Sequence, residues 1–65
     1  MNVDKLKDAL KARGCSICGL ADLLGMDYQQ VQYRNANNAW KAREIKQAAD
    51  ALGLSYEEVK EIWLQ

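Results

Sequence analysis

The stretch that decides the fold runs from Ser16 to Asn37 and reads SICGLADLLGMDYQQVQYRNAN. It divides into two short helices around a tight turn at Gly25-Met26-Asp27. The first helix is apolar on one face, at Ile17, Leu20, Ala21 and Leu24. The second is almost wholly amide and aromatic, with Gln29, Gln30, Gln32, Tyr28, Tyr33 and Arg34 and no carboxylate. Ser16 can cap the first helix and Gly25 suits the left-handed position that ends it. Asp27-x-x-Gln30 forms a capping box for the second, and Met26 with Val31 supplies the hydrophobic staple. Helices separated by only three residues must cross steeply, as in a helix-turn-helix. Val31, with Tyr28 or the stem of Arg34 beside it, is all that the second helix offers a core. The rest of its surface faces outward and is suited to reading hydrogen-bond donors and acceptors.

Outward from this stretch, the same signals recur. A first helix is expected from about Val3 to Arg13, where Val3, Leu6 and Leu10 repeat at helical spacing with Ala9 and Ala12 beside them. Asn2 is its N-cap and Gly14 its stop, with Cys15 packing back on Leu10 and Lys7, Lys11 and Arg13 on the exposed side. Cys15 and Leu20 staple the start of the next helix. Gly19 inside that helix costs about 1 kcal/mol against alanine, so its presence points to close packing or simple tolerance. Residues 35–40, NANNAW, read as a loop in which Asn37 or Asn38 takes positive φ and Trp40 plugs into the core. A fourth helix, Lys41 to Leu52, would bury Ile45, Ala48, Ala49 and Leu52 before Gly53 stops it. A fifth opens on the box Ser55-x-x-Glu58 with the Leu54/Val59 staple, and aligns Val59, Ile62 and Trp63. The expectation is a single all-α domain of five helices spanning residues 1–65.

Composition narrows the function. Sixty-five residues bury only about 60% of their unfolded surface, so such a core is marginal and dimerisation is a common remedy. The apolar fraction of 49% is that of a folded globular chain. The chain has no histidine, which removes the commonest general base near neutral pH and the commonest nitrogen metal ligand. No enzymatic activity, cofactor, metal or small-molecule ligand is therefore expected. No apolar run approaches the ~18 residues of a membrane span and the start lacks a signal-peptide core, so the expected compartment is the cytoplasm. Net charge is zero, but residues 28–43 carry +3 with no acid, residues 1–13 carry +2, and residues 50–65 carry −3. This asymmetry favours an anionic partner for the middle of the chain, although an ordinary solvated surface produces the same split. Cys15-x-x-Cys18 could be half a zinc site or a redox dithiol. The first lacks further soft ligands and the second lacks the preceding strand, so Cys15 is expected in the core and Cys18 as a small, partly exposed residue.

The run Leu20-Ala21-x-x-Leu24-Gly25-Met26-x-x-x-x-Val31 resembles the helix-turn-helix signature of the lambda-repressor/Cro-like family. In that family an alanine sits midway along the first motif helix, a glycine occupies the turn, and an aliphatic residue locks the recognition helix. Ala48-Ala49-Asp50-Ala51-Leu52-Gly53-Leu54-Ser55 resembles the family's passage into its fifth helix. The resemblance covers almost the whole chain and is nearest to short phage Cro-type repressors. It departs at Ile17, where the family commonly places a phosphate-contacting glutamine, and at Arg34, where it prefers an apolar residue.

The resemblance implies a transcriptional repressor whose recognition helix, residues 28–36, enters the major groove of a double-stranded operator. Carried over by position, base reading falls to Tyr28, Gln29, Gln32 and Tyr33, and glutamine can pair bidentately with adenine. Phosphate contacts fall to the Ser16 helix start, Arg34, Asn37, Asn38, Lys41 and Arg43. The bland alternatives are half-buried packing for the tyrosines and ordinary solvation for the charges. Ile62, Trp63 and Leu64 either close the monomer core or form a symmetric seam; a homodimer sealed there would suit a palindromic operator. Competing functions are an antitoxin or restriction-controller regulator, and a helical protein-interaction module that keeps the fold without binding DNA.

Overall fold

In a computed structural model that describes residues 1–64, the chain forms α1 (Val3–Ala12), α2 (Ile17–Leu24), α3 (Tyr28–Asn37), α4 (Ala42–Leu52) and α5 (Tyr56–Trp63), with no strand among the described residues. The all-α expectation holds. Asn2 caps α1 by accepting the Lys5 N–H at 3.1 Å, and its own N–H donates to the Ile62 carbonyl at 2.7 Å, which ties the start of α1 to the end of α5. At Gly14 (φ 66°) the chain reverses: the Gly14 N–H reaches the Lys11 carbonyl and the Cys15 N–H the Leu10 carbonyl, at 3.0 and 2.9 Å. These are the two bonds of a Schellman stop. Gly25 ends α2 in the same way, with Met26 N–H on the Ala21 carbonyl.

Leu6, Leu10, Leu20, Val31 and Ile62 form the fully buried centre, joined by Ala9, Ala21, Ala48 and Trp63. Helix α2 packs on both α3 and α4, and α1 packs on α5 and α2. Buried alanines on α2 and α4 allow close approach, and a larger side chain at either would overpack the core at a cost of about 1–3 kcal/mol. Gly19 has a clear reason. A Cβ built on it would lie 2.7 Å from the Cys15 sulfur, so the α1–α2 corner packs against a bare backbone.

Arg13 is not the free surface cation its position suggested. Its Nε donates to the Leu52 carbonyl (2.7 Å), Nη1 to the Ala9 carbonyl (3.0 Å) and Nη2 to Glu58 Oε1 (2.9 Å). Leu52 is the last residue of α4, so one guanidinium satisfies a helix-end carbonyl and joins the ends of α1 and α4 to the first turn of α5. Glu58 also accepts the Ser55 N–H while Ser55 Oγ accepts the Glu58 N–H, each at 3.2 Å, which completes the capping box. The Ser55 amide, then Arg13, hold the Glu58 carboxyl below its ordinary range.

Two further expectations about the fold need correction. Residues 35–37 are helical, not loop: α3 continues to Asn37, and Asn38 (φ 50°, ψ 45°) takes the left-handed cap. Asparagine favours helix interiors poorly, but here tertiary contacts decide. Asn35 is buried and its Oδ1 accepts the Trp40 indole N–H at 3.0 Å, while Asn37 Nδ2 donates back to the Tyr33 carbonyl at 2.9 Å. Trp40 then meets Trp63 edge to face, ring centroids 5.6 Å apart. The second correction concerns the seam. Ile62 and Trp63 are 1% and 6% exposed within the single chain, so their apolar area is already spent on its own core. Of the expected seam residues only Leu64, 58% exposed, is open to a second copy.

Candidate nucleic-acid interface

Helix α3 is anchored on one side only. Val31 is fully buried and Asn35, one turn later, is buried beside Trp40, which gives an inner stripe at i, i+4 spacing. The solvent-facing surface carries Gln29 and Tyr33 opposite this stripe and Tyr28 and Gln32 along its flank, all exposed, with Tyr33 63% exposed and Tyr28 45%. The four expected base-reading side chains are therefore accessible. Two of them are joined: Gln32 Nε2 donates to the Tyr28 hydroxyl oxygen at 2.7 Å. Gln30 turns back instead, its Oε1 accepting the Asp27 N–H at 2.9 Å, the capping role expected of it.

The expected phosphate contacts divide. Ser16 is exposed at the start of α2, where its Oγ accepts the Gly19 N–H at 3.2 Å and its O–H is left to donate outward. Lys41 and Arg43 are exposed at the start of α4. Asn37 and Asn38 are exposed at the end of α3, although Asn37 already gives one amide N–H to Tyr33.

Arg34 is the exception. Its guanidinium engages Glu44 through Nε to Oε1 (3.0 Å) and Nη2 to Oε2 (2.8 Å), and Nη1 donates to the Gln30 carbonyl at 3.1 Å. The two side chains are only 19% and 8% exposed. Glu44 Oε1 also accepts the Lys41 N–H at 3.0 Å, so one carboxylate caps α4 and clamps α3. Hydrogen bonding to Arg34 holds the Glu44 carboxyl below its ordinary range against the opposing effect of burial, and the same bond raises the Arg34 pKa. Arg34 is thus committed to an internal ion pair and does not serve as a free phosphate contact.

Sequence reasoning missed Glu44. It lies one residue past the acid-free window, and the signal that could have found it is its place three residues after Lys41, where a glutamate reaches back to the helix start. Cys15 is half-buried and Cys18 exposed, both as free thiols. No helix among the described residues is long and apolar enough to cross a membrane. No family model matches the chain, and no curated protein or solved structure matches it significantly.

Proposed function

We propose that the chain is a helix-turn-helix protein that binds double-stranded DNA sequence-specifically, a transcriptional repressor of the Cro-like type acting as a homodimer on a palindromic operator. The observation that carries this reading is the outer face of α3: exposed amides and phenols on a helix held from behind by Val31 and Asn35. Such a face offers donors and acceptors of the kind that pair with base edges in a major groove, and buried Val31 and Asn35 hold the helix from behind. Lys41, Arg43 and the Ser16 helix start supply backbone contacts. With Arg34 committed to Glu44, only two cations remain in the 28–43 segment, so affinity is modest.

The salt dependence is correspondingly shallow. Each neutralised phosphate lowers the slope of log K against log salt by about 0.9, which gives about −2 for one copy and about −4 for two. Selection from a randomised duplex library, followed by fluorescence anisotropy of the enriched duplex over a salt series, tests the reading. Enrichment of a palindrome with a slope in this range supports it. No enrichment, together with no salt-dependent binding to any duplex, overturns it.

A second reading is a helical protein-interaction module, favoured by the sequestration of Arg34 and by exposed Leu23, Tyr56 and Leu64. It predicts no DNA binding at all. An antitoxin or restriction-controller role shares the DNA-binding face and differs in what else is bound.

A further inference from the structure

The outer face of α3 contains one hydrogen bond between two of its own exposed side chains, Gln32 Nε2 to Tyr28 Oη at 2.7 Å. The residues are four apart and so lie one above the other on the helix surface. An exposed glutamine is otherwise free among several rotamers, and fixing it before binding lowers the ordering cost of any contact it makes. The Gln29 side chain makes no hydrogen bond among the described residues and has no comparable brace.

The bond also determines what Gln32 has left to offer. A primary amide carries two N–H donors and one carbonyl. With one N–H given to Tyr28, the remaining pair is a single donor beside a single acceptor. Adenine presents the complement in the major groove, an N6–H donor next to the N7 acceptor. Guanine offers two acceptors there, thymine an acceptor and a methyl group, and cytosine a donor alone. Because the Tyr28 oxygen accepts from Gln32, its own O–H points away from the amide and is available to an acceptor outside.

We propose that Tyr28 is a positioning residue that holds the Gln32 amide for adenine, so that each copy reads one A·T pair through Gln32 while the Tyr28 hydroxyl donates to a neighbouring phosphate oxygen. This rests on the DNA-binding reading above and adds to it a base identity and a residue that acts through another.

Parallel selections on a randomised duplex library with the wild-type chain, Gln32→Ala and Tyr28→Phe test it, with circular dichroism to show that the variants fold. The wild type should enrich a site with an A·T pair at a fixed place in each half. Gln32→Ala should lose the preference at that place, a loss of roughly five- to one-hundred-fold in discrimination. Tyr28→Phe, which keeps the ring and removes only the oxygen, should weaken the preference at the same place several-fold and leave the other places and the salt slope unchanged. The proposal is overturned if Tyr28→Phe weakens all sequences alike with the preference intact, or if the place lost in Gln32→Ala is not an A·T pair. If the wild type enriches nothing, the DNA-binding reading itself falls and this proposal falls with it.

Discussion

Glu44→Gln is the most informative single perturbation of this molecule. The substitution preserves shape and keeps an acceptor for the Lys41 N–H, but it leaves the Arg34 guanidinium, with a side chain only 19% exposed, without its counter-charge. Removing one partner of a buried ion pair costs about 3–5 kcal/mol. Residual exposure of Arg34 and the retained amide oxygen reduce this to about 2–3 kcal/mol by the same reasoning. A domain of this length has a total stability on the order of 3–10 kcal/mol, so the loss is a large share of it. At about 4–8 °C per kcal/mol, the melting temperature should fall by roughly 10–20 °C.

The pH dependence follows from the sign of the shift. Glu44 is held below its ordinary pKa in the folded chain, so the stability it contributes is complete above the unfolded carboxylate pKa of about 4.3 and is lost as pH falls through the lower folded value. The gap between wild type and Glu44→Gln should be constant above about pH 5.5 and close progressively below about pH 4. Urea titrations followed by far-UV circular dichroism across this range measure the gap directly. Replacing both partners, as in Arg34→Met with Glu44→Leu, should cost less than either single change to alanine, since neither buried charge is then orphaned. A gap under about 0.5 kcal/mol at pH 7, or one that persists unchanged to pH 2, would refute the clamp.

Other residues have equally definite consequences. Trp63→Ala should cost about 3–5 kcal/mol and can unfold the domain, a loss seen by denaturation at any protein concentration; a purely concentration-dependent loss would return Trp63 to a dimer seam. Gly19→Ala should be unfavourable in the wild-type background, yet stabilise by about 0.5–1 kcal/mol when paired with Cys15→Ala, because the sulfur 2.7 Å from the new Cβ is then gone. Equal effects in both backgrounds would show that the contact does not matter. Arg43→Ala should weaken binding to all duplexes alike and flatten the salt slope by about 1 per copy, whereas a loss confined to one sequence would contradict its phosphate role.

Much of the fold was legible because the chain is punctuated by local chemistry. Gly14, Gly25 and Gly53 adopt left-handed conformations, and Asn2, Ser16 and Ser55 accept first-turn amides, so helix ends are set by residues within a few positions of each other. What was misread depended on partners distant in sequence. Asn35 looks like loop until Trp40 and the core behind it are in view. Arg34 looks like a free cation until Glu44, ten residues later, closes on it, and Arg13 does so until the end of α4 and the first turn of α5 arrive. Ile62 and Trp63 share one helical face, but periodicity says only that a face is buried, not whether the same chain or a second copy buries it. On the candidate interface, exposure followed from the sparse apolar content of α3. The Tyr28–Gln32 bond was open to inference from their spacing, since residues four apart on a helix meet.

If the proposed function is correct, the outer face of α3 is the surface that meets DNA. Backbone and side-chain amide chemical shifts of the ¹⁵N-labelled chain, followed during titration with the enriched duplex, test it most directly. The Gln29 and Gln32 side-chain amides and the Tyr28–Tyr33 backbone should move most, with smaller changes at Ser16, Lys41 and Arg43. Shifts concentrated on α1 or α5 while α3 stays still would contradict it.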